Sequence, residues 1–570
     1  MSPRIVVLGA AVLALCAVAA YLLWRDSPPP RSVEQNHPTT MDSAEPAPPA
    51  DDRQVSPAED SAPEKKSADE PPRRVWDKHK GEKFTAKPLL DGWPVPAAAF
   101  VLSGEMHGYV EPCGCSLHQL GGISRRADLL RQIKAREWPV TALDTGGLVS
   151  NPGRNQAKIK LEMALRALRD MEYAGVALGV EELLTGIDLL RFNAEERPPF
   201  LSCNLVLFGG GVGLEVPTAI VKVGQLKIGV TAVFGESLKA KVVPPGGDNG
   251  GGPPNVEVLD PAASLTKTLP ALEAEKPDLL VLISHSKMEE TRELAAKFPQ
   301  FQLIVSAGGS EDPDPRPQII DKTLLVAPGQ KGKHVAVVGY YPDDAGQKFR
   351  YEVVALDDQR FQETPAMREH MRHYQEALAV QDLVAGEPPI EDPRNALLTV
   401  ENPFVGAKVC GECHTRAYEK MMKTKHAQAT QSIKTGRPGQ EATYISRIHD
   451  PECVACHVTG WDPGRGEPKD YYRYKTGFTG EASTPHLLGQ QCENCHGPGG
   501  RHVELERQFR KDGKETEELT KFRDFVQLSV ADAGQKSCVK CHDGDNDPHF
   551  KTDGEPFDWY WSEIQHPWRD

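Results

Sequence analysis

The chain opens with an apolar run from Ile5 to Trp24, twenty residues without a charge, which is the length of one bilayer crossing. Residues 27–72 then hold eleven prolines, ten acidic and four basic side chains, with only Val33, Met41 and Val55 as larger apolar groups. Such a stretch buries too little to offset the entropy of ordering, and it predicts a solvated tether over 27–95. From 96 to 358 the pattern changes to β-rich apolar runs (AAFVLSG, VTALD, KIGVTAVF, DLLVLISHS, HVAVVGYY) alternating with amphipathic stretches such as ISRRADLLRQIKA and IKLEMALRALRDMEY. That alternation predicts an α/β domain. Residues 359–397 read as a linking helix, AMREHMRHYQEALAVQDLV, broken by GEPPIEDPRN; its His370 and His373 lie i, i+3 but have no third ligand nearby and are expected on a solvated face. The last stretch, 398–570, has few aliphatic runs and forms a separate domain.

Composition narrows the classes. At about 150 residues per domain the 570 residues imply three or four folded units. With 39% hydrophobic and 26% charged residues the chain can bury several cores but crosses a membrane at most once. A net charge of −15 and no local basic patch exclude nucleic acid as a partner. The segment 1–26 is expected to be an uncleaved membrane anchor, because cutting after Ala17-Val18-Ala19 would leave Tyr-Leu-Leu-Trp at the new end. A cleaved signal peptide is the second reading, and either one exports the remainder to the periplasmic or extracytoplasmic face.

Twelve cysteines are too few for a disulfide scaffold of this length, and eight of them follow residue 409. They make four copies of Cys-x-x-Cys-His: Cys410, Cys413 and His414; Cys453, Cys456 and His457; Cys492, Cys495 and His496; Cys538, Cys541 and His542. Two cysteines three apart share one face of a helical turn, so both sulfurs reach the vinyl positions of one porphyrin and the next histidine faces its iron. Paired zinc sites also use Cys-x-x-Cys but do not need a histidine after every pair. Four covalent haem c groups are therefore expected. Ten of the eighteen histidines lie between 414 and 566, leaving His426, His449, His486, His502, His549 and His566 for the opposite faces of the irons. If CHTRAYEKMMKTKHAQA is helical, His414 and His426 are about 18 Å apart, too far to share one iron, so His426 must reach another haem.

Beyond the pentads, CGECHTRAYEKMMKTKHAQA, CVACHVTGWDPG running on to GQQCENCHGPGGRH, and CVKCHDGDNDPHF followed by YWSEIQHP resemble the tetrahaem cytochrome c-554 family over 400–570. The resemblance implies a mostly helical multihaem domain with His426, His502 and His566 as distal ligands, and an open, five-coordinate haem at His457. His549 competes with His566, and His449 or His486 would close the second haem if either capped it.

The middle domain resembles the calcineurin-like metallophosphatases, in particular the catalytic domain of periplasmic 5′-nucleotidases, through GEMHGYVEP, ALDTGG, VALGVEEL, SCNL, LISHSKMEE and IVSAGGSE. The resemblance implies a four-layer αββα sandwich. Most ligands of its two-metal site are replaced: Glu105 stands for the first aspartate, Gly146 for the bridging aspartate, Val180 and Glu181 for asparagine and histidine, and Gly308-Gly309-Ser310-Glu311 for the closing Gly-His-x-His. Only His107 and His285 remain, so no metal and no phosphatase activity are expected here. Cys113, Cys115 and His118 form a further cluster, open to three readings: an inert thiol or a bridge to Cys203, a redox thiol, or one soft metal.

The expected function is electron transfer by an exported, membrane-tethered multihaem cytochrome, with redox proteins as donor and acceptor and no assigned catalytic residue. An oxidoreductase acting on a small nitrogen oxide or hydroxylamine-type ligand at a five-coordinate haem is one alternative. A metallophosphatase or 5′-nucleotidase-like hydrolase is the other.

Overall fold

Strand β1 (Ala98–Ser103) is buried at every position, as a central strand covered on both faces must be. The computed structural model describes residues 87–112, 118–185, 195, 197–210, 215–243, 256–390, 402–436, 439, 441–464 and 470–566. The expected anchor, nearly all of the tether, Cys113 and Cys115 lie outside the described residues. Among the described residues no helix is long and apolar enough to cross a membrane.

From β1 the chain runs through α1 (Ile123–Lys134), β2 (Val140–Asp144), α2 (Asn155–Asp170), β3 (Tyr173–Ala177), β4 (Phe200–Leu201) and β5 (Glu215–Val216). These strands add in parallel to one side of β1. A second sheet takes β6 (Thr218–Val223), β7 (Leu226–Phe234), β8 (Leu279–Lys287), β9 (Leu303–Gly308), β10 (Gln318–Ile320) and β11 (Thr323–Val326), while β12 (His334–Tyr340) and β13 (Phe349–Ala355) return to the first. The strand orders are β13-β12-β1-β2-β3-β4-β5 and β10-β11-β9-β8-β7-β6.

The two-residue period of a strand decides which layer each side chain joins. Along β8, Leu279, Val281 and Ile283 face the other sheet and meet Phe100, Leu102 and Leu143. Leu280 and Leu282 face outward, against Leu265, Leu269 and Leu294 of α3 (Pro261–Ala274) and α4 (Met288–Lys297). On the far side of the first sheet α1 and α2 bury Leu129, Ile133, Leu161 and Leu165. The result is a four-layer αββα sandwich.

The helix expected to link two domains, α5 (Pro365–Val380), belongs to that outer layer: Met367, Met371, Tyr374 and Leu378 join the same core. Its histidines lie off that core, on the side expected to be solvated: the half-buried His370 pairs through Nε2 with the exposed Asp170 at 2.7 Å, and the exposed His373 pairs with Glu369.

The C-terminal part is built from short helices. Phe404, Val454, Val458, Trp461, Phe478 and Leu487 form one apolar cluster around the second Cys-x-x-Cys-His. By contrast α6 (Thr415–Met422) and α9 (Gly500–Asp512) bury none of their side chains. Between these parts Ile445 packs against the sandwich core, and charged pairs add to it: Arg447 with Glu111 at 2.6 Å, Lys160 with Glu452 at 2.7 Å, and Arg154 with Asp470 at 2.9 Å.

Candidate functional site

Each Cys-x-x-Cys-His occupies one helical turn. The second lies in α7 (Pro451–His457) and the third is α8 (Cys492–His496). In the first and fourth, the backbone N–H of His414 donates to the Cys410 carbonyl at 3.0 Å and that of His542 to Cys538 at 2.8 Å. Helical pitch therefore places both sulfurs of every pair on one side, with the histidine a step further on.

Buried polar groups hold these turns in place. Asp450 caps α7 by accepting from the Glu452 N–H, and its carboxylate also accepts from Gln156 at 2.7 Å and Gln375 at 2.8 Å. Glu493, in the third motif, accepts from the N–H groups of Val405, Gly406 and Gly499; burial pushes its carboxyl up while these donors pull it down. Three motif histidines have Nδ1 tied: His457 donates to the Ala429 carbonyl at 2.8 Å, His496 to that of Val526 at 2.7 Å, and His542 to the Asp547 carboxylate at 2.7 Å. A bond at Nδ1 fixes the tautomer and leaves the Nε2 lone pair to bind a metal, as the outer hydrogen bond of a metal-bound histidine usually does.

The other histidines sort by position. The helix expected to reach His426 ends at Met422, where the Thr424 hydroxyl donates to the Met421 carbonyl at 2.7 Å and competes with the helical ladder; a 3₁₀ turn restarts at His426. The His426 ring lies 6.1 Å from that of His542, centroid to centroid, and the His566 ring 6.0 Å from that of His496. With a metal–imidazole bond of about 2 Å, two rings across one metal have centroids about 6 Å apart. His414 lies near enough to His502 to depress it further below what burial does, and the Nδ1 of His502 is buried without a hydrogen bond. Burial holds His426 down at about 4, and thus as the neutral imidazole that ligation requires. His449 lines a cavity of about 520 Å³ with Arg368, Arg372, Gln375 and Tyr444. His486 sits in a 3₁₀ turn (Pro485–Leu487), where its carbonyl accepts from the Gln491 amide at 2.9 Å, and the His549 N–H donates to the Asp547 carboxylate. Cys-x-x-Cys-His turns, fixed Nδ1 atoms and imidazole pairs at metal-bridging separation all fit a covalently held haem.

The middle domain brings a different set to the carboxyl ends of its strands. Glu105 and His107 follow β1 with φ of +47° and +48°, and the Glu105 carboxylate lies 3.2 Å from His107 Nε2 and 3.6 Å from His285 Nδ1. His285 donates from Nδ1 to the Thr145 carbonyl at 2.7 Å, and Glu182 accepts from the N–H groups of Gly147, Leu148 and Gly179. Burial, with Glu181 nearby, pushes Glu182 up to about 7. Glycine allows this closeness. A Cβ at Gly146 would meet the Ala177 carbonyl oxygen at 2.6 Å, and one at Gly179 would meet His285 Cε1 at 2.6 Å. The backbone has closed over the place of the bridging aspartate, and the residues do not fit a two-metal centre. Cys203 is a free thiol packed against the α3 and α4 core, pushed up to about 11 by burial.

Asp450, Glu493 and Asp547 went unread in the sequence; their only signal is proximity to a motif, a carboxylate three residues before Cys453, one inside the third pentad, and one in the acidic run DGDND. His118, expected beside the cysteine cluster, pairs with Asp358 at 2.9 Å.

Fold and site together define a four-layer α/β sandwich joined to a C-terminal part whose four Cys-x-x-Cys-His turns fit covalently held haem. Residues 409–497 match the family described as cytochrome c554 and c-prime. Cytochrome c-554 of Nitrosomonas europaea is 31% identical over 156 residues, which are 25% of this chain and 60% of that protein. The likeness to cytochrome c-554 thus lies in the C-terminal part, and the chain spans about 60% of that relative's length. Among solved structures, the 5′-nucleotidase precursor from Thermus thermophilus is similar with a TM-score of 0.43 at 20% identity, over 57% of this chain and 66% of that one. The sulfate thiohydrolase SoxB of the same organism has a TM-score of 0.43 at 16% identity, over 65% and 76%.

Proposed function

We propose that this chain is a membrane-tethered tetrahaem c-type cytochrome that passes electrons between redox proteins outside the cytoplasmic membrane. The observation that carries the reading is the pairing of imidazoles across the motifs, His542 with His426 and His496 with His566. Haem, when bound, supplies one-electron iron chemistry. The chain does the rest. Cys410, Cys413, Cys453, Cys456, Cys492, Cys495, Cys538 and Cys541 anchor the porphyrins, and His414, His457, His496 and His542 are the proximal ligands. His502 serves the haem of His414, His566 that of His496, and His426 that of His542. Nδ1 bonds to Ala429, Val526 and Asp547 hold the proximal rings still, so that a change of charge moves few atoms. Helices α6 and α9, none of whose side chains is buried, would offer apolar surface to bound haem. The sandwich serves as a platform: Lys160 and Gln156 from α2 hold the second motif by Glu452 and Asp450.

The test uses the full chain expressed with a haem-maturation system. Pyridine haemochrome and intact mass are expected to give four covalent haems, and His426→Ala is expected to convert one low-spin iron to high spin in electron paramagnetic resonance. Fewer than four added groups, or an unchanged spectrum in that variant, would overturn the assignment.

A further inference from the structure

The loop after the fourth motif ties two carboxylates to two different places. Asp547 accepts from Nδ1 of His542 at 2.7 Å and from the Tyr560 hydroxyl at 2.6 Å. Two residues earlier, Asp545 accepts from Nζ of Lys331 at 2.7 Å, Nζ of Lys333 at 2.9 Å and the Tyr109 hydroxyl at 3.1 Å, and Gln119 donates to its carbonyl at 3.0 Å. Local bonds join the two. The Asp543 carboxylate accepts from the N–H groups of Asp545 and Asn546 and from the Asn546 amide, and the Asp547 N–H donates to the Asp543 carbonyl at 2.8 Å. A five-residue segment knotted in this way moves as one piece, so a displacement of Asp545 carries Asp547 with it.

The seat of Asp545 is made by loops at the carboxyl ends of β1 and β11, where open α/β sheets place their ligands. The Lys331 N–H donates to the Glu105 carbonyl at 2.7 Å, which ties the seat to the closed site beneath it. Glu311, in the segment that replaces the closing metal motif, pairs with Lys331 at 3.0 Å and Lys333 at 2.5 Å and keeps both ammonium groups facing Asp545. Lys331 is only 8% exposed and Asp545 15%, so solvent screens the pair weakly. At the other end, His542 donates Nδ1 to a carboxylate, whereas His457 and His496 donate theirs to backbone carbonyls. A carboxylate partner makes imidazole a stronger ligand, favours the ferric state and lowers the reduction potential.

We propose that the mouth of the closed phosphatase-like site is a seat for the 543–547 loop, and that by holding Asp545 the middle domain keeps Asp547 on His542 and sets the potential of the fourth haem. This rests on the haem reading above. Lys331, Lys333, Asp545 and Asp547 are positioning residues: none touches the porphyrin iron, and each acts through the next.

Spectroelectrochemical titration of the haem-loaded full chain tests this. Asp547→Asn is expected to move one wave positive by tenfold in its reduced-to-oxidised ratio, about 59 mV for a one-electron couple, with the other waves in place. Lys331→Met with Lys333→Met is expected to move the same wave in the same direction, and Lys331→Arg with Lys333→Arg to leave it near its original position. Asp545→Asn keeps the loop's shape and reads the same wave if the double methionine variant does not fold. A shift in Asp547→Asn with none in the Lys331, Lys333 and Asp545 variants would show that the seat does not control the loop, and no shift in any variant would remove both steps; either result overturns the proposal. A 538–542 peptide that carries no haem by mass would instead overturn the haem reading itself, and this inference with it.

Discussion

Gly146 stands where the resemblance read from ALDTGG puts a bridging carboxylate, and its surroundings decide whether a carboxylate could be restored there. Its φ is +85°, a conformation that costs a side-chain-bearing residue roughly 1–3 kcal/mol, and a Cβ would press on the Ala177 carbonyl. Gly146→Asp is therefore expected to destabilise the chain by about 3 kcal/mol or more and to bind no metal. Urea unfolding and metal analysis after incubation with Mn²⁺ check it; a stable variant that retains two Mn²⁺ per chain would show that the site is only depleted, not closed. The missing ligands were legible in the sequence because each is a change of residue type within a short motif. The closure was not, because it depends on how close β3 and the β2 turn approach, which no residue letter encodes.

At the scale of elements, most strands and helices were readable from periodicity, since β1, β7, β8 and β12 are apolar runs and α1 and α2 repeat at three and four. Boundaries failed where one residue overrides its neighbours. The pattern IKLEMALRALRDMEY runs past the end of α2, yet the helix stops at Asp170 because Glu172 turns left-handed at φ +62°, and Tyr173 opens β3. The Cys-x-x-Cys-His turns were legible as a spacing, but the anchoring of the second motif was not, because Asp450 draws its partners from Gln156 and Gln375 in other elements. Asp450→Ala removes the cap of α7, worth about 0.5–2 kcal/mol, and leaves two buried amides short of an acceptor, about 1–3 kcal/mol more. The expected loss is about 2–4 kcal/mol in denaturant unfolding, whereas Thr516→Ala, which removes only the cap of the exposed-faced helix α10 (Glu517–Phe525), should cost about 1 kcal/mol. Equal losses in the two variants would show that the Gln156 and Gln375 bonds add nothing to the cap.

Across the whole molecule the two halves are joined largely by charged pairs, with Ile445 also packed against the sandwich core, and this is the part least legible in the sequence. Asp545 and its lysines are 214 and 212 positions apart, and DGDND reads as a solvated acidic turn until the lysines are placed beside it. The joint has a definite response to acid. Lys331 and Lys333 hold both Asp545 and Glu311 below their ordinary carboxylate values, against the opposing effect of burial. For an acid whose pKa is lower when folded, the linked stability is present above its unfolded value, near 4, and is lost as pH falls through the lower folded value. Docking of the 543–547 loop is therefore expected to stay complete from neutral pH down to about 5 and to be lost only below about 4. Salt is expected to do less than acid, because Lys331 and Asp545 are largely shielded from solvent, so about 0.5 M NaCl at pH 7 should leave the loop in place. Hydrogen exchange of the segment around Asp545 reads both conditions. Protection lost in salt at pH 7 would mean that these charges meet only at the surface, and protection unchanged at pH 3 would mean that contacts other than the Lys331, Lys333 and Asp545 cluster hold the loop.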